Sequence, residues 1–231
     1  MPSPRHFPQF ILQRLNTALD RLDLEIWHSP EPVPLSQAAE TKESVSFRRL
    51  KKADFHAVTT PLHWGRLFHY TWFRLELPRT GAAETRYLRW REQGEATLYV
   101  DGKPYYGFDV AHRHAPLPDG IRSAYVESMC CQSAIWHPAA TGLDRDGSRL
   151  DGAEIVQRND DAWHAWHDLA VLREVLVAQI SKLPDAEAYL TARPGVRPAL
   201  GRLPAWVRAL IDSIGRALDD WETKGLASLR K

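Results

Sequence analysis

Histidines and carboxylates come first, because near neutral pH they supply most acids, bases and metal ligands. His112 and His114 stand two apart. On a strand that spacing puts both imidazoles on one face, where they could hold a divalent metal or meet sugar hydroxyls. Two ligands do not complete a metal site, and a loop or interface role accounts for the pair more simply. Asp160, His164, His167 and Asp168 are spaced to share one side of a helix. An exposed polar face with weak His–carboxylate pairs is the simpler account of them, so no metal site is assigned. Glycoside cleavage needs two carboxylates flanking one bond. Asp101, Asp109 and Asp119 are the acidic residues in the best position, but Asp101-Gly102 and Asp119-Gly120 read as turns and leave no pair. Ser128, Ser133, Cys130 and Cys131 lie in no nucleophile motif, and there is no Gly-rich phosphate loop. No catalytic residue is assigned, and the chain by itself is not expected to be an enzyme.

The elements that must position these residues are bounded by size and composition. The chain has 231 residues, 44% of them hydrophobic, with nine Trp, seven Tyr and seven Phe, so it carries ample core material and is not a disordered sequence. Thirty basic residues against 29 acidic give a net charge of +1, which provides no field for nucleic acid or an anionic membrane. The adjacent Cys130 and Cys131 fit neither a disulfide nor a Cys-x-x-Cys motif and read as thiols in a reducing compartment. The first residues, Met1 to Pro8, lack an apolar signal core, and no run of about 18 apolar residues occurs. A cytoplasmic protein without membrane insertion is the expectation.

Periodicity divides the chain into three parts: residues 1–34 as an N-terminal helix and proline-rich connector, 35–158 as a β-sandwich, and 159–231 as a helical segment. Ile11, Leu15, Leu19 and Leu22 share one helix face, and Pro8 suits its first turn. The prolines at 30, 32 and 34 read as an extended connector. Candidate strands are 66–77, 85–92, 95–101, 104–109, 121–127 and 131–136. Phe73, Leu75 and Leu77 alternate with Arg74 and Glu76, as on a half-buried strand, and Asp101-Gly102 is a hairpin turn of the type that needs two positive φ angles. Residues 141–152 form a polar, Gly-rich stretch with no candidate strand in it. A helix from Asp160 would bury Trp163, Trp166, Ala170, Val177 and Ile180. A second helix, from Pro204, carries Trp206, Leu210, Ile214, Ala217 and Trp221 as an apolar stripe. No evident partner covers it, which makes Trp206, Leu210, Ile214 and Trp221 candidates for self-association.

Two stretches carry a family resemblance. His63-Trp64-Gly65 followed by Thr71-Trp72-Phe73-Arg74-Leu75-Glu76-Leu77-Pro78 resembles a pair of motifs near the N-terminus of cytosolic and bacterial family 38 α-mannosidases. Gly94-Glu95, Asp101-Gly102-Lys103-Pro104 and Gly107-Phe108-Asp109-Val110-Ala111-His112 are similar, in order and spacing, to later motifs of the same domain. Asn159 to Leu169 is similar to the helix that follows it. One departure is Arg66-Leu67-Phe68-His69-Tyr70, which replaces the residues usual between the first two motifs.

The resemblance implies a mostly β fold, a galactose-binding-like antiparallel sandwich (jelly roll) with flanking helices, preceding an α/β catalytic domain. That catalytic domain opens with Gly-His-x-His-Ile-Asp, whose last His and Asp bind zinc, with a further Asp as nucleophile. No His-x-Asp occurs in this sequence, and Lys231 falls about where such a domain would begin. Zinc is therefore expected only in a catalytic domain outside this sequence. The implied role is that of a non-catalytic accessory domain in mannose metabolism, its partner being that catalytic domain or another copy of itself. A free-standing carbohydrate-binding module is the alternative, and residual α-mannosidase activity the weakest reading. Asp109 and His112 are the interface candidates, the alternative being that Asp109 caps its own turn and His112 is solvated. Trp64, Tyr70 and Tyr106 could lie at an interface or stack on a sugar ring. Tyr105 and Tyr106, consecutive on a strand, must point to opposite faces, so one of them belongs to the core.

Overall fold

The computed structural model describes residues 7–52, 54–78, 85–131, 147–190 and 203–230. They form two units: a helical one made of the chain up to Trp27 and from Asn159 onward, and a β unit over His28–Arg158.

In the helical unit, α1 spans Pro8–Ile26 with proline in its first turn, and buries Ile11, Leu15, Ala18, Leu22 and Ile26 along one face. The second helix, α2, spans Asp160–Ile180. Its start is fixed by Asn159, whose side chain accepts a hydrogen bond from the Ala162 N–H at 3.2 Å, and by Asp160 and Asp161 facing the positive end of the helix dipole. The buried stripe of α2 is Ala162, Ala165, Leu169, Leu176 and Ile180, one residue away from most of the expected one. Ala162 and Ala165 are buried in its first turns, while Trp163 and Trp166 lie half-buried on its flanks. A short α3, Ala186–Leu190, follows.

The last long helix, α4, spans Ala205–Lys224 and buries Val207, Ile211, Ile214, Leu218 and Trp221. That face joins the same core as α1 and α2. The expected uncovered stripe is thus mostly covered: Ile214 and Trp221 are buried, Leu210 is half-buried, and only Trp206 stands exposed. α1 provides part of the cover. Arg14 pairs with Asp219 at 2.7 Å and Glu222 at 2.9 Å, and the Arg21 guanidinium lies 4.8 Å from the centre of the Trp221 ring.

The β unit has two sheets. One has the order β1 (Trp27–Pro32), β11 (Ser148–Arg158), β6 (Arg86–Glu92) and β9 (His114–Pro116), with β4 (Leu62–Trp64) also paired to β11. The other runs β3 (His56–Val58), β2 (Leu35–Gln37), β5 (Tyr70–Glu76), β10 (Ser123–Met129), β7 (Glu95–Val100) and β8 (Lys103–Phe108). Their inward side chains share one core, including Phe73, Leu75, Leu88, Trp90, Leu98, Val126, Leu150 and Ile155. Each such side chain contributes about 1.5–3 kcal/mol on burial. The alternation of β5 holds, with Phe73, Leu75 and Leu77 buried. Outward on the same strand, Trp72 is also covered, by Phe47 and Tyr99 with ring centres 6.0 and 4.7 Å away. Asp101 and Gly102 take φ of 51° and 73° between β7 and β8, as the hairpin turn requires.

Two expectations fail here. The proline-rich connector is a strand, β1, as far as Pro32, at the edge of its sheet, where proline's missing N–H disrupts no ladder. The polar stretch 141–152, which carried no candidate strand, holds the start of β11 at Ser148, the longest strand among the described residues; its residues 141–146 lie outside those described. Asp151-Gly152 has the composition of a turn, but it marks an irregularity in register between Leu150 and Gly152, with Gly152 at φ 145°. A β-bulge and a turn call for the same residues. Of the candidate strand 131–136, residues 132–136 lie outside those described.

Candidate functional site

At the end of β6 the inward alternation Leu88, Trp90, Glu92 delivers a carboxylate into the sandwich, where Glu92 is 4% exposed. Four donors from both sheets meet it. Trp64 Nε1 donates to Oε1 at 2.6 Å and Trp90 Nε1 to Oε2 at 2.9 Å. Ser128 Oγ on β10 donates to Oε2 at 2.6 Å, and Ser148 Oγ on β11 to Oε1 at 3.4 Å. Each oxygen therefore takes one indole and one hydroxyl. Indole N–H groups only donate, so both oxygens must accept, and a proton on Glu92 can point only at a serine that has rotated. Burial pushes the Glu92 carboxyl above its ordinary range, against the opposing pull of these four hydrogen bonds. Enclosed in this way, the group cannot reach a substrate; its geometry is that of a polar fastener between sheets.

The backbone is drawn tight around it. An added Cβ at Gly65, whose φ is +80°, would lie 2.9 Å from Cys130 Cβ; one at Gly94 would lie 2.5 Å from the Met129 carbonyl oxygen. At Gly147 it would lie 3.1 Å from the Trp64 carbonyl oxygen. Glycine is needed where chains approach this closely. The Trp64-Gly65 and Gly94-Glu95 motifs thus converge on one place, and Glu92 is the central residue that motif reading missed. Its only signal is a charged residue falling in the inward register of a strand.

The other candidates are placed as follows. Trp64 is 4% exposed, with its ring edge-on to Phe73 at 5.9 Å, so it packs the core and offers no face to a sugar in this structure. Tyr106 packs against the sandwich core, 5.4 Å from Phe108, while Tyr105 on the opposite face is exposed. Tyr70 opens β5 half-buried. Asp109 folds back on its own loop: Oδ1 accepts from the Ala111 and His112 N–H groups, each at 2.7 Å, and the His112 Nδ1 lies 3.0 Å from Oδ2. Asp109 is held below its usual range because these hydrogen bonds and His112 together outweigh its desolvation. His112 precedes β9 and His114 begins it. Burial, then the nearby Arg89 and Arg113, push His114 down to about 4. On α2, His167 Nδ1 lies 2.8 Å from the Trp163 carbonyl oxygen and its ring 4.0 Å from that of Trp163. Among the described residues, no group of three or more His, Cys, Asp or Glu is arranged to hold a metal ion, and no helix is long and apolar enough to cross a membrane.

Two antiparallel sheets packed on a common core, with a buried fastener between them, define this as a jelly-roll domain accompanied by helices. The chain belongs to the α-mannosidase jelly roll domain family, whose model matches residues 21–150. That match runs from the last turns of α1 into β11 and takes in the whole environment of Glu92. No curated protein matches the chain.

Proposed function

We propose that this chain is the non-catalytic N-terminal part of a cytoplasmic α-mannosidase of glycoside hydrolase family 38, and that it packs on a zinc-dependent catalytic domain. The observation that carries the reading is the family match over residues 21–150. Two features support it. The carboxylate with the most marked environment, Glu92, is sealed in the sandwich and serves packing. The helical unit carries an open, mostly apolar groove of about 430 Å³ in which Leu169, Val171, Leu172, Ala217 and Leu229 stand beside Ala165 and one charged residue, Asp168. Val171 in that lining and Val175 one turn further on are 62% and 39% exposed on α2, an arrangement that favours an apolar partner surface.

The test is co-expression with a family 38 catalytic domain, followed by size-exclusion chromatography and an assay with an aryl α-mannoside. A stable complex is expected, lost in V171D while the melting temperature of the chain stays the same. Failure to form any complex, or turnover by the chain alone with added zinc, overturns the reading.

A further inference from the structure

The outward face of the six-stranded sheet carries charges of opposite sign side by side. On one half lies the 3₁₀ segment Phe47–Lys52, which reads Phe-Arg-Arg-Leu-Lys-Lys, four basic residues in six. It is pinned from below. Leu50 is buried, while Phe47 stacks on Tyr99 at 6.0 Å and meets Tyr125 edge-on at 5.1 Å. In a 3₁₀ turn residues three apart share one side, so anchoring Phe47 and Leu50 turns Arg48 and Arg49 away from the sheet, and both are exposed.

The other half is open and acidic. A cleft of about 530 Å³ includes Glu95, Asp109 and Glu127 in its lining, and no Lys or Arg. Strand register makes the two halves neighbours. Tyr99 and Tyr125, which carry Phe47, stand opposite each other on β7 and β10, and Thr97 and Glu127 form the next pair on the same face. At the boundary the Ser44 hydroxyl, three residues before Phe47, donates to Glu127.

Within the chain these charges go unanswered. Among the described residues, the side chains of Arg48, Arg49 and Glu95 make no hydrogen bond or ion pair. Glu127 is met only by the hydroxyls of Ser44 and Tyr99, which leave its charge in place. Asp109 has only its own loop and His112.

A partner carrying one sign of charge would satisfy one half and set like charges against the other, which is costly. A second copy satisfies both. When two copies meet face to face about a two-fold axis running along the face between the halves, each basic segment lies over the other copy's cleft, and every contact occurs twice. We propose that this face is a self-complementary dimer interface, in which Arg48 and Arg49 of each copy sit in the cleft of the other, against Glu95, Asp109 and Glu127. Gly107, where an added Cβ would meet nothing within 4 Å, leaves the floor of the cleft bare for the incoming guanidinium groups. The proposal is independent of docking to a catalytic domain, because this face lies wholly within the β unit and the docking groove within the helical one.

The test is sedimentation velocity on the full chain over a concentration series. A monomer–dimer equilibrium is expected at low ionic strength, weakened roughly tenfold or more toward about 1 M salt, where the screening length falls to about 3 Å. R48E/R49E and E95K change exposed positions, and each should weaken the dimer by about tenfold or more at an unchanged melting temperature. R49E alone serves should the double variant fold poorly. Mixing the two charge-reversed chains should restore dimers, because the acidic segment of one then faces the lysine of the other while the second contact keeps its native charges. W206E should leave the dimer intact, which separates this face from α4. A chain that stays monomeric at low ionic strength, a dimer indifferent to salt, variants that dimerise as well as wild type, or charge-reversed chains that do not pair on mixing would each overturn the proposal.

Discussion

The Trp64 indole donates to Glu92 Oε1 at 2.6 Å, joining the ends of two strands, β4 and β6, that both flank β11. The Trp-Gly motif therefore acts through its side chain as well as its turn. W64F keeps most of the ring volume and removes the donor, leaving Oε1 with only the longer bond from Ser148. A loss of about 1–3 kcal/mol is expected in urea unfolding. E92Q should cost a similar amount, because the amide nitrogen would face an indole N–H that can only donate. An unchanged unfolding midpoint in both variants would show that the fastener contributes nothing.

Glu92 also sets the sign of a pH effect. Its folded pKa is raised by burial, so between the ordinary carboxylate pKa and the raised folded value the native state binds a proton that the unfolded state has released. Stability from this group is therefore fully present below the ordinary value and is lost as pH rises through the folded value. Asp109, whose pKa is lowered, works the other way, its contribution being lost as pH falls. The difference in unfolding free energy between wild type and E92Q isolates the first effect, and should shrink as pH rises above the ordinary carboxylate range. A difference independent of pH would mean that Glu92 titrates alike in both states.

Glycines separate packing from open space. G65A meets Cys130 Cβ at 2.9 Å and forces a positive φ on alanine, and a cost of about 1–3 kcal/mol is expected. G107A meets nothing within 4 Å and should lie within about 0.5 kcal/mol of wild type, or be slightly stabilising through a less flexible unfolded chain. Thermal unfolding of the two variants side by side decides it, and a large loss in G107A would show that a side chain at this position is not free of contacts.

How legible this was depended on whether the signal was local. The β7–β8 hairpin could be read because Asp101-Gly102 has one conformational meaning between alternating strands, and α1 because its apolar residues keep a single period. β11 was hidden because Asp151-Gly152 suits a bulge as well as a turn, and β1 because proline marks edge strands and connectors alike. The fastener was the least visible feature. Its five side chains come from positions 64, 90, 92, 128 and 148, and only strand pairing brings them together.

Trp206 and Trp221 share one apolar stripe in the sequence of α4 but have opposite fates. Trp221 is 7% exposed and Trp206 is 52% exposed. The buried face runs through Val207, Ile211, Leu218 and Trp221, which turns Trp206 outward at the first turn of the helix. Trp221 is held from α1 by Arg21 over its ring, while Arg14 clamps the neighbouring Asp219 and Glu222. W221A should therefore lose packing and the cation–π contact together, about 3–5 kcal/mol as for other buried aromatics, with loss of helical circular dichroism at lower temperature. W206E should leave the melting temperature nearly unchanged, since surface substitutions away from packed features cost little. Light scattering adds a second readout. If the chain self-associates through α4, only W206E should return it to a monomer while the fold stays intact. Dissociation caused by W221A with no loss of stability would mean that Trp221 faces a second copy rather than α1.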